Sequence, residues 1–137
     1  MAAERVPTLV VDTNIVLDLL VFKDPATANL LTALQTGRVR WIATQAMRDE
    51  LERVLGYPKL AARIAFHQRD TASVLAAMDA LCHPLEAAPK APVTCCDADD
   101  QKFIDLACAE RALLLSKDHH VTGMRKRVAA LGVRVSS

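Results

Sequence analysis

Residues 9–14 read LVVDTN. Three apolar residues, Leu9 to Val11, run straight into Asp12, and a second apolar run, IVLDLLVF, begins after Asn14. A short continuous apolar run bounded by polar residues is the pattern of a strand buried on both faces. A carboxylate at the exit of such a strand is costly to desolvate unless another group compensates it. The question posed by Asp12 is therefore whether other residues of the chain converge on it.

Outward from PTLVVD (7–12), short apolar runs alternate with longer helical patterns. A short helix is expected from about Asn14. In DPATANLLTALQTG (24–37), Leu30, Leu31 and Leu34 share a helical face and Gly37 marks the stop. VRWIAT (39–44) is strand-like, and Thr44 is placed to cap QAMRDELERVLG, which ends at Gly56. Tyr57-Pro58 then interrupts the pattern. Residues 60–82 read as one or two helices with a cap or break near Asp70. LCHPLE is a candidate strand and AAPKAPVT a Pro/Ala-rich loop. Asp97 opens a helix to about Arg111, ALLLSK (112–117) is strand-like, VTGMRKRVAALG is a helix closed by Gly132, and VRVSS is a last strand. The alternation predicts an α/β fold, a three-layer α/β/α sandwich with a mainly parallel central sheet, formed by residues 1–137 as one domain.

A chain of 137 residues can bury a core without disulfide or metal staples. Its 52% hydrophobic share is slightly above average, which is consistent with a surface shared with a partner. A formal net charge of +1 favours neither nucleic acid nor membrane. MAAERVP carries charges and no long apolar stretch, so no signal peptide is expected. No run approaches about 18 apolar residues, so no membrane span is expected either. Cys82, Cys95, Cys96 and Cys108 form no CxxC pair, which suits reduced thiols in a cytoplasmic protein. His119 and His120 add zinc-type donors, but their spacing from the cysteines matches no zinc module.

In parallel α/β folds, sites form outside the carboxyl ends of the strands. Asp12 stands at one such end and Asp118, just after ALLLSK, at another. Two further acids border the inward faces of helices. Glu50 lies three residues after Met47 and four before Val54, and Asp100 lies three before Phe103 and seven before Ala107. Asp97 reads most simply as an N-cap and Asp99 as a favourable first-turn charge. For Asp12 and Asp118 a cap at a helix start is the competing explanation. Two carboxylates about 4 Å apart repel by about 4 kcal/mol at an effective dielectric near 20. Four converging acids therefore either share protons or hold a cation, and all-oxygen ligands select a hard ion, Mg2+ or Mn2+.

VVDTNIVLD, the helix with Glu50, CCDADDQKFIDLACA and LLLSKD together resemble the PIN-domain nucleases, over essentially the whole chain. The nearest likeness is to the branch of toxins from toxin–antitoxin pairs related to the VapC ribonucleases. DTN after the first strand, followed later by D-D-x-K-F-x-x-x-A, is a specific combination. The resemblance implies a metal-dependent endoribonuclease with Asp12, Glu50, Asp100 and Asp118 as its catalytic acids and metal ligands. It implies Asn14 as the residue that steadies Asp12 and the metal's water, Ser116 as support for the fourth acid, and Thr13 as a further supporting residue. Asp97, Asp99 and His120 are outer-shell candidates. Relatives tend to form homodimers and to be blocked by an antitoxin protein. Two departures stand out: His120 occupies a position that is often Asp in the family, and Lys117 one that is often Gly. The first bears against a second metal.

Setting those four acids aside leaves 12 of the 16 acidic residues against 17 basic ones. Arg48, Lys102 and Lys117 are candidate RNA contacts, as are Arg38, Arg40 and the cluster Arg125-Lys126-Arg127, which reads equally well as a solvated helix face. No aromatic platform for stacking bases is evident. Two other readings compete. A receiver-like, Mg2+-binding phosphoacceptor module would use Asp12 and Lys117, but it lacks the acidic pair after its first strand and leaves Glu50 and Asp100 idle. A haloacid-dehalogenase-type phosphatase needs Asp where Asn14 stands. A catalytically inactive PIN-like binding domain is the third alternative.

Overall fold

The structure is a computed structural model that describes residues 6–136; the first five residues of MAAERVP and Ser137, the end of VRVSS, lie outside the described residues. Strand β1 (Thr8–Val11) leads into helix α1 (Thr13–Leu20), a 3-10 turn (Pro25–Thr27) and α2 (Ala28–Gln35). Strand β2 (Arg40–Thr44) is followed by α3 (Gln45–Leu55), α4 (Pro58–Phe66) and α5 (Thr71–Leu81), then β3 (Cys82–Leu85). A second 3-10 turn (Ala98–Asp100) opens α6 (Gln101–Glu110), and β4 (Leu113–Leu115), α7 (His119–Thr122), α8 (Arg125–Ala129) and β5 (Arg134–Ser136) complete the order.

All five strands are parallel, in the order β3-β2-β1-β4-β5. Winding runs from β1 outward through β2 to β3, then jumps back across the sheet to β4 and β5. With right-handed crossovers, this reversal places α1 to α5 on one face and α6 to α8 on the other. The three-layer α/β/α architecture expected from the sequence is therefore present. Leu9, Val10 and Val11 are all buried, as a strand covered on both faces requires. Leu114 of the sheet strand β4 and Ile104 of α6 are fully inaccessible.

The helix signals mostly act where the residues place them. Met47, Leu51 and Leu55 form the buried stripe of α3. Asp70 caps α5 in a reciprocal capping box with Ser73, which divides residues 60–82 into two helices. Pro84 is tolerated because β3 is an edge strand. Thr44 occupies the N-cap position of α3 but makes no side-chain cap bond. The helix expected over VTGMRKRVAALG is instead broken into α7, which starts at His119, and α8. Gly123 closes α7 so tightly that a Cβ there would lie 2.9 Å from the His119 carbonyl oxygen. Gly132, at φ 82°, takes the left-handed turn before β5. Among the described residues, no helix is long and apolar enough to cross a membrane.

Candidate active site

The reversal of winding falls between β1 and β4, and in open α/β sheets the crevice beyond the strand ends at such a point is where ligands bind. Register decides what meets there. Val11 is paired with Leu115, and the ladder continues one step as Asp12 N–H donates to the Leu115 carbonyl at 2.9 Å. The next residues on the two strands, Asp12 and Ser116, are therefore neighbours. Ser116 Oγ, fully buried, donates to Asp12 Oδ2 at 2.6 Å and accepts the Asp118 N–H at 3.1 Å. One hydroxyl thus joins the acids that follow β1 and β4.

Asp12 precedes α1 but its side chain makes no cap bond, so capping does not account for it. Burial pushes its carboxyl above the usual range, the Ser116 bond and the Thr13 N–H pull it back, and the charges of Asp118 and Glu50 push it up again. Asp118 does cap α7, accepting the His120 N–H at 2.8 Å through Oδ1. Asp97 caps the 3-10 turn before α6 by accepting the Asp99 N–H at 2.9 Å. Asp100 ends that turn, only 8% exposed, and its Oδ2 is buried without a hydrogen-bond partner. Burial, and then the charges of Asp12, Asp118, Asp97 and Glu50, raise its carboxyl to about 7. Glu50 reaches the same crevice from α3; its Oε2 accepts from Thr13 Oγ1 and its Oε1 from Lys102 Nζ, the latter at 2.7 Å.

An orphaned, buried carboxylate oxygen beside like charges fits a bound hard cation, which would satisfy the oxygen and neutralise the repulsion. Asp118, His119 and His120 also each bring one ligand atom within 4.8 Å of one another. Asn14 is exposed, and among the described residues the side-chain partner of Asp12 is Ser116. Three of the basic candidates are engaged with acids. Lys102 holds Glu50, Lys117 pairs with Asp18, and Arg48 grips Asp79 through two bonds of 2.9 Å on α5.

Two expected results arise here. Without metal, the folded chain holds more protons than the unfolded chain between about pH 4 and about pH 7, because the Asp100 carboxyl is raised from 3.8 to about 7. Stability, read as the melting temperature at constant ionic strength, should therefore fall as pH rises through that window; a flat profile would mean that Asp100 titrates normally. Ser116→Ala leaves Asp12 without its buried donor and should cost about 1–2 kcal/mol by urea denaturation. A cost near zero would mean the bond contributes nothing.

Parallel strands in the order 3-2-1-4-5, with carboxylates gathered where the winding reverses, define an α/β protein whose polar centre suits a hard divalent cation. Residues 8–120 match the PIN domain profile. The chain belongs to the PIN domain family. A chain of VapBC2 from Rickettsia felis, solved bound to a DNA fragment from their promoter, shares the fold with a TM-score of 0.63 at 12% identity, over 94% of this chain and 97% of that one. Comparison with curated proteins gives no match.

Proposed function

We propose that the protein is a Mg2+- or Mn2+-dependent endoribonuclease that hydrolyses RNA phosphodiester bonds, and that it is the toxin of a toxin–antitoxin pair. The observation that carries this reading is Asp100, buried, unpartnered and pushed up to about 7 among Asp12, Asp118, Asp97 and Glu50. Asp12, Glu50, Asp100 and Asp118 hold the cation, which when bound acidifies a water and offsets the charge that builds on the phosphodiester. Ser116 fixes the Asp12 carboxylate and the Asp118 backbone relative to each other, and Thr13 and Lys102 fix Glu50. Asn14, exposed at the mouth, is free to meet substrate or solvent. Asp97, Asp99 and His120 form the surrounding shell.

Membership of the PIN domain family and a fold shared with VapBC2 support this reading over the phosphoacceptor one. So does Lys117, which is paired with Asp18 rather than with Asp12. The testing experiment is incubation of end-labelled RNA with the protein in Mg2+ or Mn2+, and again with chelator. Internal cuts that need the cation support the reading. No cuts on any of a structured, an unstructured and a ribosomal RNA would leave the inactive binding domain in its place.

The partners follow from the same reading: an RNA substrate, a cognate antitoxin and a second copy of the chain, in the cytoplasm. Among the described residues, Phe66, 84% exposed at the end of α4, Tyr57, half exposed before it, and Val6 are the large hydrophobic side chains left for such contacts. If α4 forms the dimer contact, Phe66→Ser should shift light scattering from dimer toward monomer. An unchanged mass would move that contact elsewhere.

A further inference from the structure

Cys96 and His120 lie 24 residues apart, yet Cys96 Sγ stands 2.8 Å from His120 Nδ1. The His119 and His120 rings lie side by side, centroids 4.1 Å apart, and their ligand atoms cluster with an Asp118 oxygen within 4.8 Å. Cys96, His119 and His120 border an open pocket of about 360 Å³ together with Thr94, Gly123 and Met124. Cys96, exposed, can present its sulfur there, whereas Cys95 beside it is buried and its Sγ is turned to the His120 carbonyl at 3.6 Å.

We propose that Cys96, His119 and His120, which line one pocket, form a second cation site, specific for a borderline ion of the Zn2+ type and chemically distinct from the all-oxygen site. One sulfur and two imidazole nitrogens, with a water in the fourth position, make a ligand set that zinc accepts and Mg2+ refuses. Ligands on a tetrahedral zinc stand about 3.5 Å apart, given bonds of about 2.3 Å to sulfur and about 2.0 Å to nitrogen. On binding, the Cys96 S–H bond is replaced by a sulfur–metal bond and the proton passes to solvent. Among the described residues that line the pocket, Arg127 is the cation, and the Cys96 thiolate formed on metal binding offsets its charge. The sequence spacing conceals this set because its members come from the loop before α6 and from the start of α7.

The site does not depend on the nuclease reading, and the test keeps them apart. Co2+, titrated into the full-length protein as a spectroscopic stand-in for zinc, should give a thiolate-to-cobalt charge-transfer band that saturates at one equivalent. Zn2+ should displace it and excess Mg2+ should not. The band should vanish in Cys96→Ser and in His119→Asn, both exposed positions, with melting curves confirming the fold. It should persist in Asp12→Asn, which removes only an acid of the other site. Absence of the band in the parent, its survival in Cys96→Ser, or its loss on adding Mg2+ would overturn the proposal. In each of those cases the short Cys96–His120 contact is only a hydrogen bond.

Discussion

With Asn in place of Asp12, the metal-dependent RNA cleavage proposed for the protein should fall by more than about a hundredfold while the chain still folds. The side chain is nearly isosteric, and its amide oxygen can still accept from Ser116 Oγ, which now bonds Asp12 Oδ2. What disappears is a negative charge at the point where β1 and β4 diverge. Outer-shell substitutions around metal sites typically cost about 10–100-fold, so loss of a ligand itself should exceed that range. The same variant should retain its far-ultraviolet circular dichroism and a cooperative melt, which separates lost chemistry from lost structure. Unchanged cleavage would remove Asp12 from the reaction, and with it the reason for placing the site at this strand end.

A second large effect should appear in stability. Asp100 Oδ2 is buried without a partner, and the charges around it raise its carboxyl to about 7, so the metal-free crevice stores repulsion. A divalent cation at a hundred times its dissociation constant should stabilise the fold by about 2.7 kcal/mol. For a chain of this size that corresponds to a rise of about 10 °C in melting temperature. Asp100→Asn or Asp12→Asn should reverse the balance. Without metal the variant should melt higher than the parent, because a like charge has gone; in Asp100→Asn the new amide can also donate to a neighbouring carboxylate. With metal, the variant's shift should shrink. Structural caps behave differently, since losing one costs about 1 kcal/mol whether or not metal is present. Metal-free variants less stable than the parent, with an undiminished metal shift, would make these acids structural.

Much of this fold is legible in local residue patterns. LVV before Asp12 marks a strand covered on both faces, the alternation of runs marks a parallel sheet, and the stripe of Met47, Leu51 and Leu55 aims Glu50 inward. The break between α7 and α8 is not legible in the same way. Val121, Met124 and Val128 are all buried at helical spacing, so the apolar stripe runs through the break unaltered. At the break the Met124 N–H donates to the Val121 carbonyl, one residue nearer than a continuing helix requires, beside Gly123 packed close on the His119 carbonyl.

Within the site, the acids can be nominated from strand ends and helix faces, but their partners cannot. Ser116 meets Asp12 only because the β1–β4 register places them side by side. Lys102 finds Glu50 from 52 positions away, Lys117 finds Asp18 from 99, and Arg48 finds Asp79 from 31. Basic residues suited to a phosphate backbone by composition thus carry local ion pairs instead, which only tertiary structure could reveal. Cys96 and His120 follow the same rule.

The most direct test of a cation centre built on these carboxylates is calorimetric titration of Mn2+ into the parent and into Asp100→Asn at pH 7, in buffers of different ionisation enthalpy. Because burial and the neighbouring acids raise the Asp100 carboxyl to about 7, binding to the parent should expel protons, and the heat should depend on the buffer accordingly. Asp100→Asn should bind far more weakly and show a smaller dependence, since Asp12 keeps a raised carboxyl. Equal affinity in the two proteins, with heats indifferent to buffer in both, would contradict the account.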